Sequence, residues 1–131
     1  MSRRELREQI FKLLFRVEFN SAEDMPEQEK LFFEDEDAAQ DKDADYIQTK
    51  FQKISEKLPE IDALLNEKTE KWDTGRMSKV DLTILRLAVY EILFDESVPT
   101  GVAINEAVEL AKKFGQDASP SFVNGVLAKF A

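Results

Sequence analysis

The chain has 131 residues, 43% of them hydrophobic and 34% charged, which suits one domain with a single core and a well-solvated surface. With no cysteine and no histidine, it lacks the residues for disulfides, thiolate nucleophiles, Ser-His-Asp triads and zinc sites built on Cys or His. The net charge of -9 argues against nucleic acid until its distribution is read: residues 1–16 carry five basic and two acidic side chains, whereas residues 17–45 carry two basic and twelve acidic ones.

The first helix is predicted to start at Ser2, which forms an S-x-x-E capping box with Glu5. Leu6, Ile10, Leu13, Leu14 and Val17 follow at helical spacing as one core-facing stripe, and Asn20 and Ser21 break it. A short second helix is expected from Pro26 through Phe33. The acid- and alanine-rich stretch from Glu34 to Asp45 reads as a solvated linker or helix start. Tyr46, Ile47, Phe51, Ile54 and Leu58 mark a third helix. All four prolines fall where a helix is expected to begin, so Pro59 is taken to open a fourth, with Ile61, Leu64, Leu65 and Trp72 inward and Gly75 as its end.

Ser78 and Asp81 are expected to cap a fifth helix that is apolar around most of its circumference, the mark of a central element. Pro99 and Thr100 introduce a sixth, with Ile104, Ala107, Val108, Ala111 and Phe114 inward and Gly115 as a left-handed cap. Ser119 as N-cap and Pro120 as first residue begin a seventh, ending near Phe130. Gly125 inside it, at about 1 kcal/mol relative to Ala, suggests a close helix–helix approach. No segment alternates with period two, so the expected class is all-α with about seven helices.

Candidate chemistry is sparse. No glycine pattern makes a phosphate loop, and no nucleophile has a matched base, so no enzymatic activity, cofactor or metal site is expected. No apolar run spans a bilayer and no leader pattern opens the chain, which makes a cytoplasmic protein the plain expectation. Arg3, Arg4 and Arg7 lie between the apolar stripe and the side carrying Phe11 and Phe15. That arrangement suits phosphate contact and base stacking on single-stranded RNA, and equally suits ordinary solvated arginines. Lys79, Thr83, Arg86 and Tyr90 make a polar stripe along the fifth helix. Either the stripe opens to a partner, or Arg86 pairs with a core carboxylate and fixes helix packing. Phe122 lies in the first turn of the last helix, as a stacking aromatic or as a core residue with Val126. Asn105, Glu106 and Glu109 read as surface or structural residues, with Glu109 and Lys113 an i, i+4 pair.

The runs ILRLAVYEILF, VPTGVAINEAVELAKKFG and SFVNGVL closely resemble the C-terminal half of NusB proteins. RRELREQIFKLLF resembles the arginine-rich opening of that family, and Asn20 to Asp73 matches it only in helical character and length. The resemblance implies a bacterial seven-helix fold of two bundles, about 1–73 and 76–131. It further implies binding to boxA RNA together with NusE, a small-subunit ribosomal protein, within the RNA polymerase antitermination complex that promotes ribosomal RNA transcription. By position it makes Arg3, Arg4 and Arg7 RNA-phosphate contacts and sets Arg86 and Phe122 at or near the RNA surface. Lys79 and Asp81 are weaker candidates, and the NusE surface is expected on the C-terminal half. Monomer and homodimer both remain open. The thin arginine motif, the acidic strip 18–45 and the turn from Gly115 to Phe122 depart from the family pattern. A protein-only interaction module, or an RNA-processing accessory without boxA specificity, stays as the alternative.

Overall fold

The computed structural model describes residues 1–35, 38–69 and 73–131, and all regular structure among them is helical. Six α-helices follow in order: α1 (Arg3–Phe15), α2 (Met25–Glu34), α3 (Asp41–Lys68), α4 (Lys79–Phe94), α5 (Thr100–Phe114) and α6 (Ser119–Ala128). A 3-10 turn, Arg16–Phe19, extends α1. The chain forms two compact units, Met1–Ser55 and Glu56–Ala131, so the division falls inside α3.

In the first unit the expected capping box is present. Ser2 Oγ accepts from the Glu5 N–H at 3.1 Å, and Glu5 Oε1 accepts from the Ser2 N–H at 3.0 Å, so two amides that helix geometry leaves without partners are satisfied together. Ile10, Leu13 and Leu14 are buried as the spacing predicts, and Phe11 joins them, which removes it from the face assigned to the arginines. The 3-10 turn ends where Asn20 becomes extended and its Nδ2 donates to the Arg16 carbonyl at 2.9 Å. Pro26 sits in the first turn of α2, where its missing N–H costs least. Buried Glu29 on that helix accepts from Gln52 Nε2 of α3 at 2.6 Å, and Arg16 lies 5.2 Å from the centre of the Phe32 ring.

The break expected at Pro59 does not occur: the third and fourth predicted helices are the single 28-residue α3. A proline inside a helix removes one hydrogen bond and costs about 3 kcal/mol. On either side of it, however, Ile54, Ile61 and Leu65 are fully buried, and each contributes roughly 1.5–3 kcal/mol, so the continuous stripe outweighs the interruption. Pro26 and Pro120 lie in first turns and Pro99 is an N-cap, so three of the four prolines mark helix starts. The inward placement of Trp72 lies outside the described residues.

In the second unit Gly75 lies in a turn, as expected, and Ser78 caps α4 by accepting from the Asp81 N–H at 3.1 Å. Every residue from Leu82 to Glu91 is buried, which matches the central helix read from the sequence. α4, α5 and α6 pack pairwise against one another. The buried face of α5 is Ala103, Ala107, Leu110 and Ala111, with Ile104, Val108 and Phe114 half-buried at its edge. Glu109 meets Lys112 at 3.3 Å, and Lys113 lies 5.5 Å from the centre of the Phe114 ring.

Two glycine expectations are corrected. Gly115 is extended, with φ -92° and ψ -169°, and is not a left-handed cap. Its N–H donates to the Ala111 carbonyl, and a Cβ there would stand 2.6 Å from Ser119 Cβ and Oγ, so close approach explains the glycine. Ser119 is the first residue of α6 and not its cap, because its hydroxyl accepts from the Gln116 N–H at 3.0 Å and closes the turn between α5 and α6. Gly125 is exposed and a Cβ there meets nothing within 4 Å, so no close helix packing requires it among the described residues.

Candidate nucleic-acid interface

The capping box fixes the first turn of α1, and that turn carries Arg3 and Arg4, both exposed. Arg7, one turn further along, is buried, so the three arginines do not form one open patch. Their position at the positive end of the helix dipole is unfavourable on its own. Two carboxylates offset it. Glu5 is held below its ordinary pKa by the Ser2 backbone and hydroxyl hydrogen bonds of the cap. Asp43, in the first turn of α3, takes the Met1 amine at 2.9 Å and raises the pKa of that amine, first through the hydrogen bond and then through charge.

The other four sequence candidates belong to the second unit. Lys79 is the first residue of α4 and exposed; Asp81, in the same turn, is half-buried. Asp81 Oδ1 is a buried atom without a hydrogen-bond partner among the described residues. Arg86 is buried and meets Asp62 of α3 at two points, Nε to Oδ1 at 2.9 Å and Nη2 to Oδ2 at 2.7 Å. The core-carboxylate pairing expected for a buried arginine is therefore found. Tyr90 is buried one turn on and stacks with Phe94 at 5.9 Å, while Lys57 of α3 lies 5.0 Å from the Phe94 ring centre. Arg86, Tyr90 and Phe94 thus form a column at i, i+4 and i+8, two members of which engage the C-terminal half of α3. Thr83 turns its hydroxyl back to the Lys79 carbonyl. Phe122 is half-buried in α6, between the fully buried Val123 and the exposed Ser121.

Two residues that shape these sites escaped the sequence reading. A buried arginine demands a carboxylate, but the chain offers twenty-seven acids and no spacing rule selects Asp62 from them. Asp43 was legible only as one member of an acidic strip. Among the described residues no group of three or more His, Cys, Asp or Glu side chains is arranged to hold a metal. No helix there is long and apolar enough to cross a membrane.

The described residues define a small all-helical protein whose first helix opens on a capped turn with two exposed arginines. The pattern described as the NusB family matches residues 4–131, and the chain belongs to that family. It is 53% identical over its whole length to the transcription antitermination protein NusB of Agathobacter rectalis, covering all of that protein. It is 50% identical to the protein of the same description from Lachnoclostridium phytofermentans, across 98% of each chain. Among solved structures, T. maritima NusB superposes with a TM-score of 0.86 at 39% identity, covering 100% of this chain and 91% of that one. Antitermination factor NusB, solved with NusE and double-stranded RNA, superposes with a TM-score of 0.84 at 26% identity, covering 98% of this chain and 94% of that one.

Proposed function

We propose that this chain is a non-catalytic, RNA-binding adaptor of transcription antitermination in the bacterial cytoplasm, which takes boxA-type RNA together with NusE. The observation that carries this reading is the likeness, over nearly the whole chain, to a NusB solved with NusE and RNA. The exposed pair Arg3 and Arg4 supplies phosphate contacts, since a guanidinium offers paired donors to phosphate oxygens. Exposed Lys79 and half-buried Phe122 are the candidates on the second unit. Arg7 and Arg86, buried and in the second case paired with a carboxylate, support the surface from beneath more than they meet RNA directly. Asp81 contributes through the start of α4.

Fluorescence-anisotropy binding tests this reading with a boxA RNA and a scrambled control, with and without NusE, for wild type and Arg3→Ala/Arg4→Ala. Selective, NusE-enhanced binding is expected, and the double variant should flatten the log–log salt slope by about 1.4, at about 0.7 per lost single-strand contact. Absence of boxA selectivity even with NusE would sink the assignment. A salt-insensitive NusE complex without RNA would then favour a protein-only module, consistent with the net charge of -9.

A further inference from the structure

We propose that α3 is built to open at the turn from Ser55 to Pro59, so that its two halves unfold separately, each with its own compact unit. Four features of the chain meet at this turn. The division between the units falls between Ser55 and Glu56, inside a helix that runs on to Lys68. Pro59 has no N–H to give the Ser55 carbonyl, so the hydrogen-bond ladder lacks a rung just where the division lies. The Ser55 hydroxyl oxygen is itself buried and has no hydrogen-bond partner among the described residues. Threonine hydroxyls on these helices behave otherwise: Thr83 donates back to the Lys79 carbonyl, and Thr69, just past α3, to the Leu65 carbonyl. Ser55 thus holds a carbonyl short of its amide and a hydroxyl short of a partner, and opening the turn to water relieves both. Finally, no residue from 55 to 60 is buried, whereas Ile47, Lys50, Phe51 and Ile54 before them and Ile61 and Leu65 after them are.

A helix unfolds as one piece when each turn is held by the bonds and the packed face of its neighbours. At Ser55–Pro59 the ladder and the packed face are both thin. Loss of one half therefore costs the other little, and opening stops at this turn instead of running through all 28 residues. The consequence reaches the surface candidates. Arg3 and Arg4 belong to the first unit and Lys79 and Phe122 to the second, so a partner that grips one pair stabilises that unit alone.

Amide-resolved hydrogen exchange of the whole chain, followed by NMR in sub-denaturing urea, tests this without any ligand. Ile47→Val and Ile61→Val each trim a fully buried side chain by a methylene, one in each half of α3. Each should speed exchange in its own half by about two- to tenfold and leave the other half unchanged. In a Ser55→Ala/Pro59→Ala background the rung is restored and the unpartnered hydroxyl is gone, so either valine should speed both halves together. Equal acceleration of both halves by one valine in the proline-bearing chain overturns the proposal, because α3 then opens as one piece. Separate responses that persist in the double-alanine background overturn it too, because the division then owes nothing to this turn.

Discussion

Asp62 and Arg86 lie 24 residues apart in sequence and meet as a two-point ion pair, with both carboxylate oxygens engaged at 2.9 and 2.7 Å. The arginine side chain is 10% exposed and the aspartate 27%, so the pair is shielded on one side and open to water on the other. Removing one member of a fully buried pair costs 3–5 kcal/mol because the other charge is stranded. Partial solvation lowers that figure here: Asp62→Ala should cost about 2–3 kcal/mol. Urea unfolding should show a lower midpoint with an unchanged slope. A midpoint within error of wild type would mean that Asp62 contributes nothing to holding Arg86 in place.

Pro59 leaves the Ser55 carbonyl without the amide it would meet in an uninterrupted helix. Pro59→Ala restores that donor, while the looser unfolded chain takes back part of the gain. A net stabilisation of about 1–2 kcal/mol is expected, seen as a rise in Tm of about 3–8 °C. The new amide at position 59 should also exchange slowly with solvent deuterium. A fall in Tm would show that proline suits this turn better than alanine does.

Gly125 lies in α6 with open space around the position a Cβ would take. Gly125→Ala should therefore stabilise the chain by about 0.5–1 kcal/mol through helix propensity alone. Calorimetry of the isolated chain reads this directly, and a destabilised variant would point to packing at that position after all.

Glu5 has a folded-state pKa below its ordinary value of 4.5, because the Ser2 backbone and then the Ser2 hydroxyl favour its charged form. A depressed carboxyl contributes stability that is fully present above the unfolded pKa and is lost as pH falls through the folded one. Glu5→Gln keeps the capping geometry but does not titrate. Its stability curve should be flatter than that of wild type below about pH 4.5. Curves of identical shape in that window would remove the capping carboxylate from the acid response.

Most of the helix inventory was legible because each end carries its own chemistry: Ser2 with Glu5, Ser78, Pro26 and Pro99. Pro59 misled because local propensity marks a boundary there, while the burial that overrides it is assembled from Ile54, Ile61 and Leu65 across two would-be helices. Arg3 and Arg4 could be named as candidates for a similar local reason, since the capping box sets the turn that carries them. The burial of Arg7 was not legible, and for Arg86 a partner surface and a buried pair both stood open, since the same residue type serves either and only the fold places Asp62 opposite Arg86.

The turn after α5 has a genetic consequence. Every glycine codon has the form GGN, and any change at its first or second base either ends translation or installs a side chain. At position 115 each such side chain begins with a carbon 2.6 Å from Ser119, so the coding sequence there tolerates silent changes and little else. Gly125, ten codons downstream, carries no such restriction from its own fold. Drift in this gene should therefore leave the two glycines with unequal histories, the first fixed by its neighbour and the second held only by whatever meets the surface of α6.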